Sequence, residues 1–545
     1  MKIKNPVLRG FNPDPSILRV GDMYYIANST FEWFPGVRLH SSKDLVHWKM
    51  LPSILDSKEL IDMTGDPSSG GVWAPDLSYA DGKFWLVFSD VKTVNGPFKD
   101  CINYLTTANN IEGPWSKPIK LDATGFDASL FHDTDGKKYL VQQTWDQREY
   151  KNTFNGITLT EFDPLSQRLL PQTRKVIYRG TDVKVLEGPH VYKINGYYYL
   201  FAAQGGTGWS HQEIVARSKS LVLGTFITEP DGPFITNFDT PDFELQKQGH
   251  GSLVNTLDGE WYYASLCSRP WHHKNESAWD PRGWCTLGRE TSIQKVEWDS
   301  DGWPRVVGGH GGLISVPGPH ADKKYLTSKP NNSRHDEFLS SKLDNDWQTL
   351  RQPFTKKLGY IKNKKLVLKG NQSLSSLFDV SLLASRWQAF NFDATTKIKY
   401  EPYSYQQMAG LVNFYNDKHY SWVFITYNEV TKHRVIEVAQ NNNNIYTSFL
   451  KDNAVEIPNE IKEVWLKTCI RKDYYYYMYS FDGKDWNRIS IDLDAAILSD
   501  DYVMQTSGGF FTGAMVGLAS VDCTGFELPA EFDYFDYKEL DENLL

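Results

Sequence analysis

The sequence predicts an all-β protein, a five-bladed β-propeller followed by a C-terminal β-sandwich, and three observations carry that reading. A short pattern returns five times in the first half of the chain. Each copy is a strand, a glycine turn and an aromatic strand, which is the signature of a hairpin. Beyond a Gly/Pro/Ser/Asn-rich stretch from Gly308 to Ser333 the repeat stops and a different alternating pattern begins.

The five copies run DPSILRVGDMYYIA from Asp14, DLSYADGKFWLVF from Asp76, DASLFHDTDGKKYLV from Asp127, EGPHVYKINGYYYLF from Glu187 and HGSLVNTLDGEWYYA from His250. Their turns hold Gly21, Gly82, Gly136, Gly196 and Gly259, and four of these are DG or NG pairs. The lead residues lie about 60 positions apart, room for a four-stranded sheet in each repeat. A second pattern, SSKDLVHWKML from Ser41, TANNIEGPWSKPI from Thr107 and ARSKSLVLGTFITEP from Ala216, supports the outer strands of the same unit. Radial repetition protects the edges of antiparallel sheets, so five such units read as a propeller over residues 1–320. The stretch from Gly308 to Ser333 reads as a linker. Segments such as AGLVNFYNDKHYSWVFIT and KTCIRKDYYYYMYSFDGKDWNRI then predict a sandwich over 334–545.

Composition limits the partners. A net charge of -9, with acids and bases interspersed, offers no basic stripe for a nucleic acid, and no run of apolar residues is long enough to span a membrane. The N-terminus MKIKNPVLRGFNPDP lacks a signal-like apolar stretch, and five scattered cysteines without a CxxC read as reduced thiols. A cytoplasmic location is therefore expected. Aromatic residues at 14% fit either large sheet cores or sugar-binding surfaces.

In a propeller the first strand of each blade lines the central channel. The lead residues Asp14, Asp76, Asp127, Glu187 and His250 are therefore expected to converge on the axis, where burial and mutual charge perturb their protonation. Glycoside cleavage needs one carboxylic acid to protonate the leaving oxygen and one carboxylate on the opposite side. Asp14 follows the rigid NPDPS segment and suits the activation of water, its alternative being a turn aspartate. Glu187, the single Glu of the five, has the reach to protonate a leaving group, and Asp127 is placed to raise its pKa. Arg289, in WCTLGRE, is a candidate to pair with Asp127 or to hold sugar hydroxyls, against an ordinary surface ion pair. His250 is open between orienting a carboxylate, binding a cation or water, and serving as a satisfied core residue.

NPDPS, WAPD, FDAS, EGPH and GHGS, in order and at blade spacing, resemble glycoside hydrolase family 43, particularly its β-xylosidases, across nearly the whole chain. The resemblance implies an inverting, exo-acting enzyme with Asp14 as general base, Glu187 as general acid and Asp127 as pKa modulator. It implies a sugar pocket lined by Phe31, Trp73, Ala74, Trp145, Thr207, His250 and Arg289. SGGFFTGAMVG is similar to a family loop that closes the pocket with Phe510 or Phe511. The expected substrates are short β-1,4-xylooligosaccharides, cleaved from the non-reducing end, and α-L-arabinofuranosides. No cofactor is required on this reading, although a structural calcium is an option with Asp336 and Asp533 as oxygen ligands, against solvated acids. Relatives of this architecture are often dimers or tetramers, so a homo-oligomer is expected. Two rivals are weighed: a fructan-cleaving propeller enzyme, whose RDP and EC motifs do not occur here, and a propeller that only binds glycans.

Overall fold

A computed structural model of the protein describes residues 2–277, 282–319 and 333–540. Their contacts divide into two compact units. The first takes in the chain up to Pro270, then Ser277 and Arg282, and the chain again from Arg289; the second takes in Trp271–Glu276, Gly283–Gly288 and the chain from 333 onward. The sequence boundary therefore misses two short segments inside the fifth repeat, which group with the second unit.

Each of the five repeats folds into one antiparallel sheet of four or five strands. The first blade runs Ser16–Val20, Met23–Asn28, Arg38–Ser42 and Lys49–Leu51, and the other four follow the same up-and-down order. The inner strands are Ser16–Val20, Asp76–Ala80, Gly125–His132, Glu187–Ile194 and Gln246–Asn255, and each contacts the next until the fifth meets the first. This closed cycle makes the set a propeller. Apolar side chains between blades form its cores: Val87, Leu105 and Leu140 in one layer, Phe201, Val215 and Tyr263 in another.

Much of the stretch from Gly308 to Ser333 lies outside the described residues, but its first part is not a free linker. Ser315–Pro317 pairs antiparallel with Lys2–Lys4, and the buried Val316 sits opposite the buried Ile3. Pairing within the sheet overrides the turn-like composition.

The second unit is a nine-stranded and a seven-stranded antiparallel sheet around one apolar core. The run of tyrosines shows why these strands form: Tyr475 and Tyr477 are buried while Tyr474 and Tyr476 are more exposed, the period-2 alternation of a sheet with one core face. Ser499 caps the short helix Asp500–Thr506 by accepting the Tyr502 amide. All five cysteines are free. Among the described residues no helix is long and apolar enough to cross a membrane.

Candidate active site

The hairpin registers place the lead residues on the axis and correct their order. Counted back from the hairpin turns, Ser16, Asp76, Ser129, His190 and Ser252 pair with Ala27, Val87, Val141, Phe201 and Ala264 and occupy equivalent positions. Two residues earlier in each blade come Asp14, Ala74, Asp127, Gly188 and His250. Asp76 therefore belongs to a second tier of the channel, and Ala74 takes the position of Asp14 in blade two. In blade four the matching residue is Gly188, with the carboxyl supplied by its neighbour Glu187.

The first tier is built from unusual backbone. Asp14, Asp127, Gly188 and His250 all have positive φ, at 51°, 50°, 57° and 44°. The last three fall at interruptions of their ladders, between Phe126 and Ser129, Glu187 and His190, and Gly249 and Gly251. A bulge of this kind re-aims a side chain at the price of about 1–2 kcal/mol for a left-handed non-glycine residue. At position 188 only glycine fits, since a Cβ there would stand 2.6 Å from His250 Cδ2. The loop bearing Asp14 is fixed by Asn28, whose amide donates to the carbonyls of Asn12 and Pro13 at 3.1 and 2.8 Å.

Asp14 is 4% exposed and closely partnered. Ser29 Oγ donates to Oδ2 at 2.5 Å, Arg289 Nη1 donates to Oδ1 at 3.0 Å, and His250 Nδ1 lies 3.5 Å from Oδ1. Burial pushes its pKa up, but Arg289, His250 and Ser29 together draw it below the ordinary value. Arg289 is thus a buried partner of Asp14 and not a surface group, and its charge also acts on Asp127. The same Nη1 also donates to Thr207 Oγ1 at 3.1 Å.

Asp127 and Glu187 go the other way. Burial first, then the charges of Glu187 and Asp14, push the Asp127 carboxyl well above the usual range, against one hydrogen bond from the Gly188 amide at 3.3 Å. Glu187 is pushed up to about 8 by burial and by Asp14, opposed by Arg289 and Lys99. The site thus sets one carboxyl, Asp14, drawn toward its ionised form, beside two, Asp127 and Glu187, drawn toward their protonated forms. Asp76 sits in the second tier, raised to about 6 by burial although Leu130 N and Ser16 Oγ donate to it at 2.8 and 3.4 Å.

An aromatic wall runs along the blades that carry Asp14, Asp76 and Asp127. Phe31 lies 6.2 Å from Trp73, Trp73 lies edge-on 5.2 Å from Phe126, and Phe126 lies 6.1 Å from Trp145, by ring centroids. The Arg289 guanidinium stands 5.4 Å from the Phe31 ring. Trp73 Nε1 donates to Ser69 O and Trp145 Nε1 to Pro97 O, so their rings are held in orientation. Lys99, absent from the sequence reading, places its ammonium 5.5 and 4.7 Å from Trp73 and Trp145. Ser29, His211, Phe126 and Glu213 were missed as well; only Phe126, adjacent to Asp127 in FDAS, had a sequence cue.

Phe510 and Phe511 lie in the second unit with ring centroids 4.7 Å apart, and Phe510 packs against that unit's core. Asp336 and Asp533 do not gather as calcium ligands. Asp336 accepts from the Phe338 amide and Trp347 Nε1, while Asp533 is held by the ammoniums of Lys365 and Lys397 at 2.7 and 2.8 Å. Among the described residues no group of three or more His, Cys, Asp and Glu side chains is arranged to hold a metal.

Comparison with known proteins agrees with this arrangement. The family model described as Glycosyl hydrolases family 43 matches residues 3–304, and that of the Beta xylosidase C-terminal Concanavalin A-like domain matches 335–538. The chain is 48% identical to a beta-xylosidase of Bacillus subtilis over 99% of this chain and 100% of that one. It is 41% identical to xylosidase/arabinosidase 43B of Humicola insolens, over 98% of each. Among solved structures, xylan beta-1,4-xylosidase from Bacillus halodurans C-125 superposes with a TM-score of 0.92 at 44% identity, over 98% of this chain and 100% of that one.

Proposed function

The chain belongs to glycosyl hydrolase family 43 and is a glycosidase, and from that premise we propose that it is an exo-acting β-xylosidase releasing xylose from short β-1,4-xylooligosaccharides. In this reading hydrolysis inverts the anomeric centre. Asp14 takes a proton from the attacking water, Glu187 protonates the leaving oxygen, and Asp127 keeps Glu187 protonated. One observation carries the assignment: three carboxyls on one axis are driven in opposite directions, Asp14 down and Glu187 and Asp127 up. An acid and a base that coexist at neutral pH are what single-displacement hydrolysis requires.

Arg289, shared between Asp14 and Thr207, and the wall of Phe31, Trp73 and Trp145 are the proposed contacts to the terminal sugar. Flat rings meet sugar C–H faces while the guanidinium fork meets hydroxyls. Cleavage of α-L-arabinofuranosides is proposed as a second activity, since the relative from Humicola insolens is described as a xylosidase/arabinosidase. A cytoplasmic location accords with the five free cysteines, and a dimer or tetramer is the proposed assembly.

Turnover of nitrophenyl β-xyloside, whose leaving group is not a sugar, followed by proton NMR tests the reading. The first product signal is expected to be α-xylose from the β-linked substrate; β-xylose appearing first would replace inversion with a retaining route. Glu187→Ala is expected to lose xylobiose turnover about 10³-fold while keeping much of its rate on an aryl xyloside with a good leaving group. Asp14→Ala is expected to disable both substrates. Wild-type xylobiose turnover by either variant would remove that residue from its role.

A further inference from the structure

Behind the first tier lies a buried acid that the hydrolytic reading does not use. Glu213, on the strand Gln212–Ser218 of the fourth blade, is 0% exposed. Its Oε2 accepts the backbone N–H of His250 at 2.8 Å. That amide belongs to a residue at φ 44°, inside the register shift between Gly249 and Gly251, where no regular ladder fixes the chain. Held there, the His250 imidazole touches both sides of the chemistry: Nδ1 lies 3.5 Å from Asp14 Oδ1, and the ring packs over Gly188, next to Glu187.

We propose that Glu213 is a positioning residue for hydrolysis, holding His250 against Asp14 through the His250 amide although Glu213 itself never meets substrate. The inference rests on Asp14 being the base. The groups facing Glu213 are the His250 amide, the Tyr263 hydroxyl and, through space, Glu187; burial comes first in pushing it well above the ordinary range. Those facing His250 are Asp14 and Arg289, with His190 and His211 nearby. Those facing Asp14 are Arg289, His250, His211 and Ser29, together with Asp127 and Glu187. Loss of the Glu213 acceptor releases His250, and Asp14 then loses one of the partners that stabilise its ionised form. A carboxylate that loses such a partner titrates higher.

The test is the pH profile of kcat/KM on nitrophenyl β-xyloside for wild type, Glu213→Leu and Glu213→Gln. The leucine variant is expected to move the acid limb up by about one pH unit and leave the basic limb in place. The glutamine variant, whose amide oxygen still accepts the His250 N–H, is expected to keep both limbs. In a His250→Ala background, Glu213→Leu is expected to add no further shift. A folded leucine variant with an unmoved acid limb overturns the inference, and so does a glutamine variant displaced as far as leucine. Should leucine prevent folding, Glu213→Asp, which withdraws the acceptor by one methylene, is expected to give a smaller shift of the same sign, and no shift overturns the inference. Failure of the base assignment is read separately: an active Asp14→Ala sinks that assignment, whereas an inactive Asp14→Ala with an unmoved limb in Glu213→Leu sinks only the role of Glu213.

Discussion

Two tiers of the propeller axis, two residues apart on the same five strands, are built on opposite principles. The first, Asp14, Ala74, Asp127, Gly188 and His250, has left-handed backbone in four of five blades and carboxyls displaced from their ordinary titration. The second, Ser16, Asp76, Ser129, His190 and Ser252, ties each blade to the next. Ser16 Oγ accepts from Leu77 N at 2.9 Å, Asp76 Oδ2 accepts from Leu130 N at 2.8 Å, and Ser129 Oγ donates to Pro189 O at 2.6 Å. At the fourth junction Tyr192 Oη accepts from Leu253 N at 2.8 Å, and Ser252 closes the circle by accepting from Ile17 N and donating to Pro15 O. Strain and unbalanced charge at one level are tolerable because hydrogen bonds at the next level tie the blades together.

The comparison breaks most visibly at Asp14. Asp14→Asn keeps the shape and one acceptor oxygen but cannot take a proton, so kcat is expected to fall about 10³-fold or more with little change in melting temperature. On the alkaline side, wild-type activity is expected to decline as pH rises through about 8, where Glu187 loses the proton that the proposed mechanism has it donate. Rates flat to pH 10 would contradict the acid assignment. Neither effect is expected from any second-tier substitution.

Asp76 sharpens the contrast, being a second-tier carboxyl that acts on stability. Its pKa is raised from 3.8 to about 6 by burial, so between those values the folded protein keeps a proton that the unfolded chain releases. Its contribution to stability therefore falls as pH rises through that window and is constant above it. Asp76→Asn removes the dependence. Its melting temperature relative to wild type is expected to be higher at pH 7 than at pH 4, by several degrees, with kcat within about twofold. A difference that is the same at both pH values would show that Asp76 does not titrate in that window.

Much of this was legible because hairpin turns are local. Glycine turns, four of them DG or NG, announce five blades, and Asp14, Asp127 and Glu187 lie close to those turns in sequence. Register was harder. The turn at Asp81 and Gly82 is tight, whereas the hairpin closed by Asp133 and Lys137 is longer, and bulges interrupt three inner strands. Distance to the glycine is therefore not constant, and in blade two the position of Asp14 is held by Ala74, which carries no chemistry, with the polar Asp76 two residues later. One partner of Arg289, Asp14, lies 275 residues away, a choice that no local pattern encodes. Glu213 sits in an ordinary strand, EIVARS, and only the amide it meets gives it meaning. The fructan-cleaving and purely glycan-binding alternatives fall with the family assignment.

The smallest expected effects separate donors from acceptors within the second tier. Ser252 is 2% exposed and serves two backbone groups, the Ile17 amide at 2.7 Å and the Pro15 carbonyl at 2.9 Å, at the junction where the last blade meets the first. Ser129 serves one carbonyl, that of Pro189. A buried N–H left without a partner is penalised more than a carbonyl, which has two lone pairs and tolerates partial satisfaction. Ser252→Ala is therefore expected to destabilise the propeller by about 2 kcal/mol and Ser129→Ala by about 1 kcal/mol, read as denaturant midpoints at constant m. Both are expected to keep the wild-type pH profile of kcat/KM, because neither hydroxyl touches the first tier. A displaced acid or basic limb in either variant would mean that the two tiers share one energetic network and that the first-tier carboxyls are tuned from the level that holds the blades together.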